Sequence, residues 1–132
     1  MSGSFFDTNV LIDLLGRPAE AAAARSVLAY GGTISVQVLN EATHVVRRKF
    51  GLGWEETRDF LKSIRGLLDV VPVTIETHDL ALELAMRYRY TIYDSLILAA
   101  ALRADCDTLW SRDMQPGQRI GGLTIRAPGA TP

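Results

Sequence analysis

The chain has 132 residues, 48% of them hydrophobic, which is one domain's worth of sequence with enough apolar material for an ordinary globular core. Its formal net charge of -1 excludes a protein that holds nucleic acid through a broad positive field, while leaving room for local contacts. Cys106 is the only cysteine, so there is no disulfide framework and no thiolate metal cage, which fits a reducing cytoplasm, and no apolar run is long enough to cross a bilayer.

Residues 3 to 7 read as a strand that ends in a carboxylate, Asp7, followed by a short helix from about Asn9 to Leu15. The first residues carry no basic region, and Asp7 and Asp13 interrupt the apolar stretch, so it does not read as a signal peptide. Pro18 sits where a first helical residue belongs, an Ala-rich helix runs to Tyr30, and Gly31-Gly32 stops it. Thr33-Ile34 is a short strand, and Ser35 can cap a helix to about Phe50 with apolar residues at 38, 42, 45 and 46. After Gly51 to Gly53 an amphipathic helix spans Trp54 to Leu68. "VVPV" at 70 to 73 is a strand whose Pro72 calls for an edge or an end. Residues 75 to 88 form another helix, and "DSLILAAALRA" from Asp94 is apolar nearly all round, as a helix buried within the domain would be. "TLW" at 108 to 110 and "LTIR" at 123 to 126 are strands separated by a turn beginning at "SRDM", and the closing "APGATP", 127 to 132, reads as a frayed tail. Strands alternating with helices, without a repeat or a second composition regime, predict a single α/β domain, a three-layer sandwich around a mainly parallel sheet. Such sheets bind ligands beyond the carboxyl ends of their strands.

Four acids map to that edge. Asp7 follows the first strand and Asp113 the "TLW" strand; Glu41 lies in the second turn of its helix and Asp94 opens the buried helix. Each has a plain structural reading: Asp7 as a helix cap, Asp94 as the far member of a capping box with Thr91, Ser111 and Asp113 as a helix start. Glu41 resists one, because its neighbours at three and four positions are Gln37, Val38, His44 and Val45, with no Lys or Arg at ion-pair spacing. If the four converge, two carboxylates about 6 Å apart repel by roughly 3 kcal/mol at an effective dielectric of about 20, so protons or a divalent cation must neutralise them. An all-oxygen set suits Mg²⁺ or Mn²⁺, ions that bind phosphates, and points to phosphodiester chemistry. Other acidic α/β sites fit poorly: no Lys follows Lys62 as a receiver-type phosphoacceptor requires, Asn9 replaces the second Asp of a haloacid-dehalogenase-type pair, and "DTNVL" lacks the serines of a von Willebrand-type metal site.

"FDTNVLIDLL", "SVQVLNEA", "YDSLILAAA" and "LWSRDMQPGQRIGGLTI", in this order and spacing, closely resemble the PIN domain, specifically the small VapC-like ribonuclease toxins, over nearly the whole chain. The resemblance implies a metal-dependent endoribonuclease with Asp7, Glu41, Asp94 and Asp113 as the acidic metal site, supported by Thr8, Asn9 and Ser111. It implies hydrolysis of RNA, with tRNA or rRNA as the target class, to a 5′-phosphate and a 3′-hydroxyl. It also implies a homodimer and a cognate antitoxin whose C-terminal segment covers the site. Arg112 in the last motif and Arg47, Arg48 and Lys49 on the Glu41 helix could hold RNA phosphates, although a solvated, cation-favouring helix end explains the latter three equally well. The chain departs from related sequences in ending "RAPGATP" rather than in an Asn-Pro-Phe-like segment, and in carrying Asp13, which reads as solvated helix surface rather than a ligand. The alternatives are an RNA-processing nuclease that is not a toxin, and a non-catalytic module that keeps its acids to hold a basic partner peptide.

Several further signals carry less. "EATH" at 41 to 44 is half of a di-iron pattern whose other half is missing, and no spacing brings His44 to His78 as an acid-base pair. Trp110 reads as core or rim packing, while Trp54 and Tyr93 could stack on bases.

Overall fold

The computed structural model describes residues 3 to 129, so Ala130 to Pro132 of the expected tail lie outside the described residues. In chain order the elements are β1 (Gly3–Phe6), α1 (Thr8–Ile12) with a 3-10 turn at Asp13–Leu15, α2 (Pro18–Leu28), β2 (Thr33–Ser35), α3 (Val36–Phe50), α4 (Trp54–Leu67), β3 (Asp69–Val71), α5 (Ile75–Tyr88), α6 (Ile92–Arg103), β4 (Cys106–Trp110), β5 (Arg119–Ile120) and β6 (Leu123–Arg126). The sheet runs β3-β2-β1-β4-β6-β5, with every pair parallel except β5 and β6.

This order fixes the layers. From β1 the chain steps outward through β2 to β3, then returns past β1 to β4 on its other side. Right-handed crossovers therefore put α1 to α4 on one face and α5 and α6 on the other, giving the expected single-domain, three-layer α/β sandwich. The strand order reverses between β1 and β4, so the crevice for a ligand opens at their carboxyl ends.

The local chemistry explains most boundaries. Pro18 begins α2, and the hydroxyl of Ser35 accepts from Val38 N at 3.4 Å to start α3. Gly51, at φ 66, ends α3 in the left-handed conformation. Pro72 follows the last residue of β3, which is an edge strand. Helix α6 buries Ser95 and Ile97 through Ala101, which accounts for its nearly uniform apolarity. The core joins Phe5, Phe6, Leu11, Ile34, Leu98 and Leu109, all fully buried, across both faces of the sheet.

The turn expected at "SRDM" is present, the alternative helix start is not, and one strand, β5, was not expected. No helix starts at Ser111: its hydroxyl accepts from Asp113 N and Met114 N, both at 3.2 Å, but the chain then turns into the β5–β6 hairpin around Gly121-Gly122. Strand β5 is two residues long and has no apolar run, so its only sequence mark is the Gly-Gly turn. Beyond β6, Ala127 and Pro128 are half-buried, and a Cβ at Gly129 would stand 3.3 Å from the Ala23 side chain on α2.

Gly32 links α2 to β2 where the backbone passes under Phe6. Its φ is 145, and an added Cβ would lie 2.6 Å from the Phe6 ring and 2.6 Å from the Ser4 carbonyl oxygen. Gly51 also has positive φ, yet nothing lies within 4 Å of its Cβ position. Gly32→Ala is therefore expected to cost about 3 kcal/mol of unfolding free energy through overpacking and strain, and Gly51→Ala about 1 kcal/mol through strain alone. Urea unfolding of the two variants checks the ranking.

Candidate active site

The end of β1 meets the end of β4 because the two strands are paired in register up to Phe6 and Trp110. Asp7 N donates to Trp110 O and Ser111 N to Arg126 O, both at 2.9 Å, so the ladder continues one residue past each strand. Residues 7 to 9 and 111 to 113 are thereby set face to face. Helix α3 supplies Glu41 from its second turn and α6 supplies Asp94 from its first. All four acids line one cleft of about 630 Å³ together with Thr8, Asn9, Asn40, His44, Lys49 and Arg112.

Three of the acids are each held by a different neutral side chain. Thr8 Oγ1 donates to Glu41 Oε1 at 2.7 Å, Ser111 Oγ to Asp7 Oδ2 at 2.8 Å, and Asn9 Nδ2 to Asp113 Oδ2 at 3.0 Å. Asn9 Nδ2 also approaches Asp7 Oδ2 at 3.4 Å, while its Oδ1 accepts from Arg112 N at 3.0 Å, so this one amide ties both loops together. Asp7 is also the cap of α1, accepting from Thr8 N at 2.8 Å. Its capping and its place in the cleft are thus compatible. Asp94 differs from the other three. Thr91 Oγ1 accepts from Asp94 N at 3.1 Å, but the reciprocal capping bond is absent and no described residue donates to the Asp94 carboxylate.

The electrostatics follow from this arrangement. Burial raises Asp7 from 3.8 to about 6; the Ser111 and Thr8 hydrogen bonds oppose the rise, and Asp94 and Glu41 add to it. Asp94 is also raised, first by burial, then by Asp113 and Glu41. Hydrogen bonds, which leave charge in place, do the holding. Among the described residues no three His, Cys, Asp or Glu side chains already form a metal-binding cluster, so the acids surround an open cleft and do not close on a point.

The expected cations divide. Lys49 and Arg112 line the acid cleft, whereas Arg47 and Arg48 line a neighbouring hollow with Trp54. Arg112 Nε donates to Asp13 Oδ2 at 2.8 Å, and its Nη1 lies 4.0 Å from Glu20 Oε2. Asp13 is therefore not solvated surface: it is 5% exposed, turned inward at the 3-10 turn by a guanidinium arriving from the loop after β4. Trp110 is half-buried and donates from Nε1 to Ser4 Oγ at 3.2 Å, as rim packing requires. His44 lines the cleft and His78 is exposed on α5. One contributor escaped the sequence reading. Gln37 Nε2 donates to Glu41 Oε2 at 3.2 Å and to Tyr93 O at 3.1 Å, joining α3 to the start of α6, and its i to i+4 spacing from Glu41 was the available signal.

A family model described as the PIN domain matches residues 4 to 118. No curated protein matches the sequence significantly. Among solved structures, a toxin-antitoxin complex from Klebsiella pneumoniae superposes with a TM-score of 0.72 at 21% identity, covering 92% of this chain and 95% of that one. VapBC2 from Rickettsia felis, bound to a DNA fragment from its promoter, gives 0.70 at 17% identity over 94% and 97% of the two chains. VapC20 from Mycobacterium tuberculosis, described as a sarcin-ricin loop cleaving toxin, gives 0.66 at 19% identity over 80% and 86%.

The raised Asp7 carboxyl makes folding depend on pH. Since the folded value of about 6 lies above the unfolded 3.8, its contribution is fully present below 3.8 and is lost as pH rises through 6. That interval corresponds to about 3 kcal/mol. In EDTA, the protein is expected to lose stability between about pH 4 and 7, and Asp7→Asn, which keeps an acceptor for Thr8 N–H, should flatten that part of the profile. Superimposable denaturation profiles for the two proteins would remove Asp7 as the source.

Proposed function

The chain belongs to the PIN-domain family, and from that premise we propose that it is a metal-dependent endoribonuclease acting as the toxin of a toxin-antitoxin pair. The observation that carries the reading is the cleft itself, where Asp7, Glu41, Asp94 and Asp113 line one space and all but Asp94 receive hydrogen bonds from neutral side chains, with no ion pair to any of the four among the described residues.

A divalent ion fits this donor set. The acids present oxygen only, their charge is uncancelled, and they are spaced around a cleft that leaves room for an ion to keep part of its hydration, as Mg²⁺ does. Asp7, Glu41, Asp94 and Asp113 would hold Mg²⁺, or Mn²⁺ in its place. When bound, such an ion neutralises the acids, polarises a phosphodiester and lowers the pKa of water.

The remaining work falls to the chain. Thr8, Asn9 and Ser111 fix the directions of three carboxylates, so little reorganisation is needed when charge develops on the phosphate. Asp94, whose carboxylate accepts from no described residue, lines the cleft with its oxygens open to a ligand. Lys49 and Arg112 stand at the cleft wall, where each can meet a phosphate oxygen, and Asp13 keeps the Arg112 guanidinium in place. The toxin assignment and an antitoxin partner draw support from the fold shared with chains from toxin-antitoxin complexes, a homodimeric assembly is part of the same reading, and an RNA substrate of the tRNA or rRNA class implies work in the cytoplasm. Among the described residues no helix is long and apolar enough to cross a membrane.

End-labelled tRNA and rRNA fragments incubated with the purified, antitoxin-free protein should give discrete products with Mg²⁺ or Mn²⁺ and none with EDTA. Asp94→Asn should keep the fold and lower cleavage at least about a hundredfold, the scale of several kcal/mol of lost transition-state stabilisation. Cleavage by Asp94→Asn at the native rate, or products unaffected by EDTA, would sink the assignment.

A further inference from the structure

We propose that the trough between α3 and α4 is a binding track for single-stranded RNA leading into the acid cleft, with one base stacked on Trp54. The proposal rests on the nuclease reading and assigns the surface that holds substrate away from the scissile phosphate.

The acid cleft does not end at its own walls. Asn40 lines the cleft and both hollows beyond it, and His44 lines the cleft and the nearer hollow, so the three form one continuous depression. Charge is sorted along it. Seven of the chain's 14 lysines and arginines line this depression, while its acids are confined to the cleft. On α4 the sorting is helical: Arg58, Lys62 and Arg65 recur at spacings of four and three and line the trough over about 10 Å of helix, whereas Glu55, Glu56 and Asp59 of the same helix do not line it. Apart from Arg112 at the acid cleft, these cations have no ion-pair partner among the described residues. Among the described residues both ion pairs belong to Arg112, so the trough is a row of charges left for an external anion.

Trp54 makes the site more specific than a basic strip. It is 66% exposed and borders both outer hollows. One face is already occupied, because the Arg47 guanidinium lies 3.7 Å from the ring centroid and is anchored by donating from Nη1 to Leu52 O at 3.1 Å. The ring is thereby stacked on an anchored guanidinium while two thirds of the residue stays in water, a platform for an unstacked base. Asn40 adds a neutral hydrogen-bonding group to the lining, while the Thr43 and Thr57 hydroxyls donate to the backbone at Leu39 O and Gly53 O. An acidic peptide could satisfy the cations, but Leu39 and Leu61 are the only aliphatic side chains in that hollow, which is meagre anchoring for a protein partner, and a solvent-facing indole suits a base better.

The test is binding of 5′-fluorescein-labelled (U)12 RNA by fluorescence anisotropy in EDTA, where nothing is cut, beside cleavage of end-labelled RNA in Mg²⁺. Trp54→Ala is expected to weaken binding about tenfold and Trp54→Phe to recover most of it, the signature of stacking and not of folding. Arg58→Ala with Lys62→Ala should weaken binding and reduce the slope of log K against log salt by about 1.4. Arg103→Ala, an exposed cation on α6 outside the trough, should change neither. Native affinity in the trough variants overturns the proposal, as does an equal effect of Trp54→Ala on a duplex, or Trp54-dependent binding of poly-glutamate in preference to RNA. The two readings separate cleanly: trough-dependent binding without cleavage keeps the track and discards the nuclease, while cleavage with trough variants behaving like the native protein keeps the nuclease and discards the track.

Discussion

The parallel pairing of β1 with β4 is the constraint from which the site descends. Because Phe6 and Trp110 are register partners, both strands finish at one level, and the next residues of each chain segment have only each other to face. Asp7 meets Ser111, and Asn9 meets both Asp113 and the backbone of Arg112. A slip of one residue in this ladder would turn Asp7 to the opposite face of the sheet and dissolve all these contacts at once. The other two acids depend on the same frame, since α3 leaves β2 directly through Ser35 and α6 packs against both β4 and β2.

What the frame assembles is electrostatically unfavourable by itself. Carboxylates that share one cleft repel one another, and the hydrogen bonds from Thr8, Asn9 and Ser111 orient the charge without cancelling it. The fold tolerates this because the crowding sits at the mouth of a core that is fully buried at Phe5, Phe6, Leu11 and Leu109. Elsewhere the sorting runs the other way, with cations gathered along α3 and α4. A net charge of -1 is therefore the sum of two opposed fields, and it bears on neither surface separately.

Much of this was legible in the sequence, for identifiable reasons. The long elements announce themselves through period, caps and glycine stops, so α2 to α6 and the parallel strands were readable, as was the convergence of strand-end acids that the topology then enforces. Thr8, Asn9 and Ser111 were readable through family resemblance, but which acid each one holds was not, because those bonds span up to 104 residues. Asp13 misled because a polar residue on a short helix normally faces water, and only the return of the chain after β4 brings Arg112 to bury it. The turn read at "SRDM" is present, and the alternative reading of Ser111 as a helix start is not realised. Ser111 binds two backbone N–H groups as a helix cap does, yet no helix follows, since the apolar hairpin residues Ile120, Leu123 and Ile125 draw the chain back to the sheet. The trough was hidden because Arg47 and Trp54 meet across the α3–α4 turn, a contact that no single helical period reveals.

The side chains that seat the acids are drawn from next-door positions: Thr8 and Asn9 adjoin Asp7, and Ser111 stands two places before Asp113. Two short peptides therefore carry two of the four acids and most of the support, while the helices add Glu41 with its partner Gln37, Asp94 and the cleft-lining Lys49. Mutation can rewrite the exposed face of α4, Trp54 and its cations included, without disturbing a single bond in the cleft. A scaffold divided in this way can keep its acid cleft while the surface of α4 changes, and chains that share the fold at 17 to 21% identity leave ample room for such change.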